Sequence, residues 1–141
     1  MRGLNASTKC DALRNKIDES NCSIVCLQET KLSTVSSSIV TEACGQAFRS
    51  FHFLPSTETR GGILLAWQDD LVSISHPTIG THFINALVSP LDGSPHWWIT
   101  GVYGPNDEAA KIEFLSDLHD TRSTCNGPWL IGGDFNMIIS P

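Results

Sequence analysis

WLIGGDFNMIISP, residues 129–141, reads as an apolar strand that runs into Gly132-Gly133-Asp134-Phe135-Asn136. Paired glycines bend a chain easily, and an acid and an amide then stand just past the strand's end. Chemistry is commonly built at such places, where a rigid strand delivers polar side chains to a loop. Seen alone, Asp134 and Asn136 read equally well as turn formers after the glycines.

Two more apolar runs end the same way. SIVCLQ (23–28) is continuous and rich in Ile and Val, suited to a strand buried on both faces, and it leads into Glu29. HWWITGVYG (96–104) closes on Tyr103 and is followed by Pro105 and Asn106. Glu29 taken alone reads as a solvated loop acid, and Tyr103 as an interfacial aromatic. Together, three strand ends carrying carboxylate, amide and phenol groups form a set of oxygen donors that suits a hard divalent cation.

Between these runs the chain organises itself as helices framing strands. Cys10, Leu13 and Ile17 recur at helical spacing over residues 9–20, with Ser7 or Thr8 as cap. A second helix is expected over 34–46, weakened by Ser36, Ser37 and Ser38. Then come AFRSFHFL (47–54), GGILLAW (61–67), DLVSISH (70–76) and FINALVS (83–89), strands with short, turn-rich connections and an expected antiparallel order. Asp92-Gly93 marks a hairpin. Ala109, Ile112, Leu115 and Leu118 define the apolar stripe of a helix over 108–122, capped by Asn106 or Asp107. The expected class is an α/β or α+β sandwich, one domain with no internal repeat.

Composition narrows the partners. The 141-residue chain carries 9 Lys+Arg against 15 Asp+Glu, a net charge of −6 that argues against gripping nucleic acid by a broad basic surface. An enzyme that offsets a phosphodiester's charge with a metal ion remains open. No apolar run approaches the roughly 20 residues of a membrane span, and the polar start lacks a secretory h-region. An intracellular protein without membrane partners is expected. The 5 cysteines include Cys22 and Cys26 in an apolar stretch; they read as buried thiols, since no second close Cys/His pair completes a zinc knuckle. The 5 histidines have no partner at useful spacing and are read as surface or turn residues. Trp67, Trp97 and Trp98 read as core and sheet face rather than base-stacking platforms.

In this order, CLQETK (26–31), RGGILLAW (60–67), VYGPN (102–106) and GDFN (133–136) resemble the endonuclease/exonuclease/phosphatase superfamily. The resemblance is closest to the endonuclease domain of non-LTR (LINE-type) retrotransposons, to which MRGLN and GPWLIGGDFN also belong. It implies a four-layered αββα sandwich that cleaves phosphoester bonds with Mg²⁺, acts on DNA, is nuclear if functional, and needs no small-molecule cofactor. By the same resemblance Glu29 binds the metal, while Tyr103 and Asn106 lie near the scissile phosphate. Asp134 orients the attacking water, and Asn136 supports the phosphate and metal shell.

The sequence also departs from the family pattern. The family's first strand, with an asparagine that serves the metal, has no counterpart before Met1. Its later strands, ending in an aspartate and a Ser-Asp-His triplet, have none before Pro141. Residues 1–141 are therefore expected to be a truncated domain: a half-sandwich whose second sheet is mostly missing and which is inactive alone. Losing one charge-stabilising group commonly costs about 2.7–4 kcal/mol at the transition state. The alternatives are a non-catalytic module binding protein or nucleic acid, and a retroelement fragment without function. Two structural expectations follow. Glu29, Tyr103, Asp134 and Asn136 should meet on one rim, as ends of strands in the same layer. The face carrying Ile63, Leu65, Val88 and Ile99 should pack on helices 9–20 and 108–122, with the other face under-covered.

Overall fold

The computed structural model describes residues 22–28, 30, 32–57, 62–103, 108–132 and 137–139. In chain order the elements are β1 (Ile24–Gln28), α1 (Ser37–Cys44), β2 (Ser50–Leu54), β3 (Ile63–Trp67), β4 (Val72–Ile79), β5 (Phe83–Pro90), β6 (Trp97–Val102), α2 (Glu108–Ser123), β7 (Trp129–Gly132) and β8 (Met137–Ile139). Helix 9–20 lies outside the described residues.

The strands form two four-stranded sheets, ordered β2-β3-β1-β8 and β4-β5-β6-β7. Pairing is antiparallel apart from β6 and β7, which run parallel in register from Trp98↔Trp129 to Gly101↔Gly132. A parallel pair needs a crossover connection, and α2 supplies it. The hairpin between β5 and β6 turns where the sequence places it. Gly93 takes φ +89°, and Asp92 Oδ1 accepts from the Ser94 N–H at 2.9 Å. β8 is an addition that the sequence analysis does not anticipate; it pairs Met137 with Cys26 and Ile139 with Ile24.

Strand alternation divides the apolar residues between two cores. Ile24, Cys26, Ile63, Leu65 and Trp67 of the first sheet meet Val72, Ile74, Ile84, Ala86, Val88 and Ile99 of the second. The opposite side of the first sheet, through Val25, Leu27, Leu64 and Ala66, packs on Val40, Ala43 and Cys44 of α1 and on Phe48. β1 is thus buried at every position, as its continuous apolar run predicts, because a sheet covers one face and a helix the other.

This arrangement corrects the expected packing. Ile63, Leu65, Val88 and Ile99 face the opposing sheet rather than helices, and a second sheet is present to cover the first. Nor do the three polar-ended strands share a layer: β1 lies in one sheet, β6 and β7 in the other.

The serines read as weakening the second helix set its start instead. The Ser36 hydroxyl accepts from the Ile39 N–H at 3.4 Å, so α1 opens at Ser37 rather than at 34. Gly45, at φ +113°, ends it. α2 has the predicted extent but not the predicted stripe. Ile112 and Leu115 are 72% and 60% exposed. Its half-buried positions are Ala110, Phe114, Leu118, Thr121 and Arg122.

Candidate functional site at the strand-end rim

The ends of β1, β6 and β7 come together although they belong to different sheets. Gly101, near the end of β6, is paired with Gly132, the last residue of β7. Across the space between the sheets, a Cβ built on Gly101 would lie 2.5 Å from Cys26 Sγ and 3.7 Å from both Gln28 Nε2 and Ile63 Cγ2. A side chain there would collide with Cys26 Sγ, so glycine lets β6 lie close against β1. Gln28 pairs with Ile63, the first residue of β3, so the rim also gathers β3's beginning. β8 opens at Met137, opposite Cys26, and residues 133–136 connect its start to the end of β7.

Tyr103 is the sequence-derived candidate that lies among the described residues. It follows β6, is half-buried, and packs against the core between the sheets. Its backbone is held on both sides by His82: the Tyr103 N–H donates to the His82 carbonyl at 2.9 Å. In return His82 Nδ1 donates to the Tyr103 carbonyl at 3.1 Å, since a carbonyl can only accept. The His82 ring meets Phe114 of α2 edge-on, with centroids 6.0 Å apart. His82 lies in the bend between β4 and β5, as its reading as a surface or turn residue expects, and from there it braces the Tyr103 backbone. Its partner stands 21 positions away, at no spacing that a sequence pattern reveals.

Glu29, Asn106, Asp134 and Asn136 lie outside the described residues. Their described neighbours are Gln28 at the end of β1, Tyr103 just past β6, Gly132 at the end of β7 and Met137 at the start of β8. All four neighbours sit at the same end of the sandwich, two from each sheet.

The rim's floor is unusually polar for a position inside the sandwich. Gln28 is 2% exposed. Its Nε2 lies 3.6 Å from Cys26 Sγ, and its Oε1 has no partner among the described residues. Reversing the carboxamide exchanges the two ends without pairing both. Burial pushes the Cys26 thiol up to about 12, so it stays protonated and unreactive at neutral pH. Cys22, Cys44 and Cys125 are likewise buried thiols outside any disulfide, in keeping with the reading of the cysteines as structural.

The described residues alone contain no group of three or more His, Cys, Asp or Glu able to hold a metal ion. The donor chemistry nominated from sequence (Glu29, Asp134, Asn136) is all oxygen, the set a hard cation such as Mg²⁺ takes. The buried Gln28 amide oxygen, without a partner among the described residues, lies at that end, where Gly101 lets β6 approach β1 closely. The nominated residue types are those a divalent cation takes, and they lie outside the described residues.

No helix of the described residues is long and apolar enough to cross a membrane. No curated protein matches the chain in sequence. Among solved structures, the human Nocturnin catalytic domain with bound sulfate superposes with a TM-score of 0.65 at 13% identity, over 94% of this chain and 58% of that one. An AP endonuclease from Leishmania major gives 0.65 at 18% identity, over 94% and 52%. A functionally unknown conserved protein from Enterococcus faecalis gives 0.56 at 17% identity, over 90% and 57%. At such identities the likeness is one of fold, and the chain spans little more than half the length of each structure. In sequence, residues 3–140 match the model of the Endonuclease/Exonuclease/phosphatase family. With its two packed sheets, its rim of strand ends and a match over nearly its whole length, the chain belongs to the endonuclease/exonuclease/phosphatase family.

Proposed function

We propose that this chain is part of a metal-dependent phosphodiesterase domain acting on DNA, of the endonuclease type found in non-LTR retrotransposons. The observation that carries the reading is the meeting of the β1, β6 and β7 ends on one rim from two different sheets. That rim is where the chain must continue into Glu29, into the Tyr103–Asn106 loop and into Asp134 and Asn136. The AP endonuclease with the same fold makes nucleic acid a reasonable substrate class.

In this reading Glu29 holds Mg²⁺, with Asn136 completing the oxygen shell. A bound Mg²⁺ would supply charge neutralisation to the phosphate. Asp134 accepts a hydrogen bond from the attacking water and fixes it in line with the phosphorus. Tyr103 presents its phenol near the scissile phosphate from a backbone clamped by His82, and Asn106 donates to a phosphate oxygen. We further propose that residues 1–141, which span little more than half of the solved structures they resemble, do not turn over by themselves, since no position among them matches the family's catalytic histidine.

The test combines cation binding with a supercoiled-plasmid nicking assay. Mg²⁺ should bind to the parent and not to Glu29→Gln, and nicking should stay at background. Nicking by the parent that Asp134→Ala abolishes would overturn the inactivity and keep the site. An absence of cation binding would remove the site itself.

A further inference from the structure

The end of the sandwich away from the rim holds a cavity of ≈ 540 Å³. Its buried part is lined by Ile24, Val72 and Val88, with Trp97 paired to Val88 across β5 and β6. Ile24 opens β1, and Gln28 closes that strand at the rim, about 13 Å away at the rise of extended chain. The mouth is built differently. Leu71 and Leu91 are 46% and 58% exposed, and the Leu91 N–H donates to the Leu71 carbonyl at 3.0 Å. That bond carries on the register of Val72 opposite Pro90 and sets Asp70 across from Asp92, both exposed and both lining the cavity. Hydrogen bonds from Ser94, side chain and backbone, hold the Asp92 carboxyl below the usual carboxylate range. Like charges facing each other across a strand pair repel. The described residues that line the cavity include no Lys, Arg or His to offset them. The Arg49 guanidinium, which feels Asp70 from outside the cavity, is bound to Asp69 at 2.8 Å.

We propose that this cavity binds small apolar molecules carrying one ammonium group, the hydrocarbon seated on Ile24, Val72 and Val88 and the cation held at the mouth between Asp70 and Asp92. A cavity of this size, mostly apolar with a few convergent polar groups, is the ordinary form of a small-molecule site. Charge selects the ligand class. A carboxylate ligand would add a third negative charge at the mouth, and a neutral one would leave the repulsion in place. Trp97 suits the same head group, since the face of an indole attracts ammonium ions. The site lies at the opposite end of the sandwich from the proposed phosphodiesterase rim and needs none of its residues.

The probes are 4-phenylbutylammonium, 4-phenylbutanol and 4-phenylbutyrate, one skeleton with a positive, a neutral and a negative head. Each is titrated into the 141-residue chain carrying isotope-labelled Ile, Leu and Val methyls, followed by NMR. The ammonium should shift the methyls of Ile24, Val72 and Val88 and bind about fivefold more tightly than the alcohol, an advantage that shrinks as salt is added. The carboxylate should bind weakest. Combining Asp70→Asn with Asp92→Asn keeps an acceptor for the Ser94 N–H and removes both charges. Affinity for the ammonium should then fall to that of the alcohol, while the alcohol binds as before. Equal binding of ammonium and alcohol by the parent, or an ammonium affinity untouched by the double substitution, overturns the proposal. So does a failure of the ammonium to bind, or shifts confined to residues outside the cavity.

Discussion

The two outer faces of the sandwich carry helices in different ways. α1 has 8 residues and contributes Val40, Ala43 and Cys44 to a closed apolar cluster with Val25, Leu27, Leu64 and Ala66. α2 has 16 residues, yet Ile112 and Leu115 point away from any core. It meets the second sheet through isolated contacts, such as Phe114 on His82 and the Arg122 guanidinium 5.1 Å from the Trp129 ring centre. The sheet face beneath it sets a buried polar pair, Asn85 and Thr100, among Phe83, Leu87, Trp98 and Val102. The Trp129 indole N–H donates to Thr100 Oγ1 at 2.7 Å, and the Thr100 hydroxyl donates to Asn85 Oδ1 at 2.6 Å. Asn85 Nδ2 then reaches Cys125 Sγ at 3.6 Å. Helix length therefore says little about what holds a layer in place; one outer face is a closed apolar cluster, and the other carries a hydrogen-bonded chain among its apolar residues.

If burial dominates the α1 side, truncating its centre should have the largest effect. Leu64 is fully buried between β1, β2 and α1. Leu64→Ala should cost about 2.7–5 kcal/mol by urea unfolding. A loss below ~1 kcal/mol would mean that α1 is not a rigid cover, and the contrast between faces would collapse.

On the α2 side the test is a hydroxyl. Thr100→Val keeps shape and removes one group that both accepts and donates, stranding Trp129 Nε1 and Asn85 Oδ1. The expected loss is about 1–3 kcal/mol by the same measurement. A neutral result would assign that face to packing after all.

Between the two faces, the inner core has its own signature in pH. The folded Cys26 thiol is raised from 9.0 to about 12, so folding favours the protonated form. Its contribution is intact below pH 9 and is lost as pH rises from 9 towards 12, because the unfolded chain gives up that proton first. Parent and Cys26→Ala, unfolded in urea at pH 7 and pH 10, should show a steeper alkaline loss in the parent. Equal slopes would place Cys26 in contact with water. In acid the corresponding group is His52, lowered by burial beside Trp67. Its neutral form belongs to the folded state, so stability falls as pH drops below its ordinary value of 6.5.

What was legible in sequence follows the same division. β1 was readable because burial on both faces leaves an unbroken apolar run, and the Asp92-Gly93 hairpin because turn chemistry is local. The motif order placed candidate residues after strand ends, yet which sheet each strand joined was not readable. Layer membership is decided by long-range pairing, as in the parallel register of β7 on β6. The single-layer expectation and the missing second sheet failed for that reason. The bond of His82 to Tyr103 and the orphaned oxygen of Gln28 were unreadable on related grounds: one spans 21 residues, and the other arises only from what surrounds it.

The smallest expected effect tests the misread stripe on α2. Ala109, Ile112, Leu115 and Leu118 repeat at helical spacing, which predicts their burial together. Instead the face toward the sheet runs through Ala110, Phe114, Leu118 and Thr121, one step around the helix. Replacing Ile112 and Leu115 with serine should therefore change stability within about 0.5 kcal/mol for each. The small helix-propensity cost of serine is offset by the removal of exposed apolar surface. The same double variant should reduce any self-association seen by sedimentation, since two adjacent exposed aliphatics are a ready contact between copies. A loss of 2 kcal/mol or more would mean that these side chains are covered in the folded protein. α2 would then be packed as α1 is, and the difference between the faces would disappear.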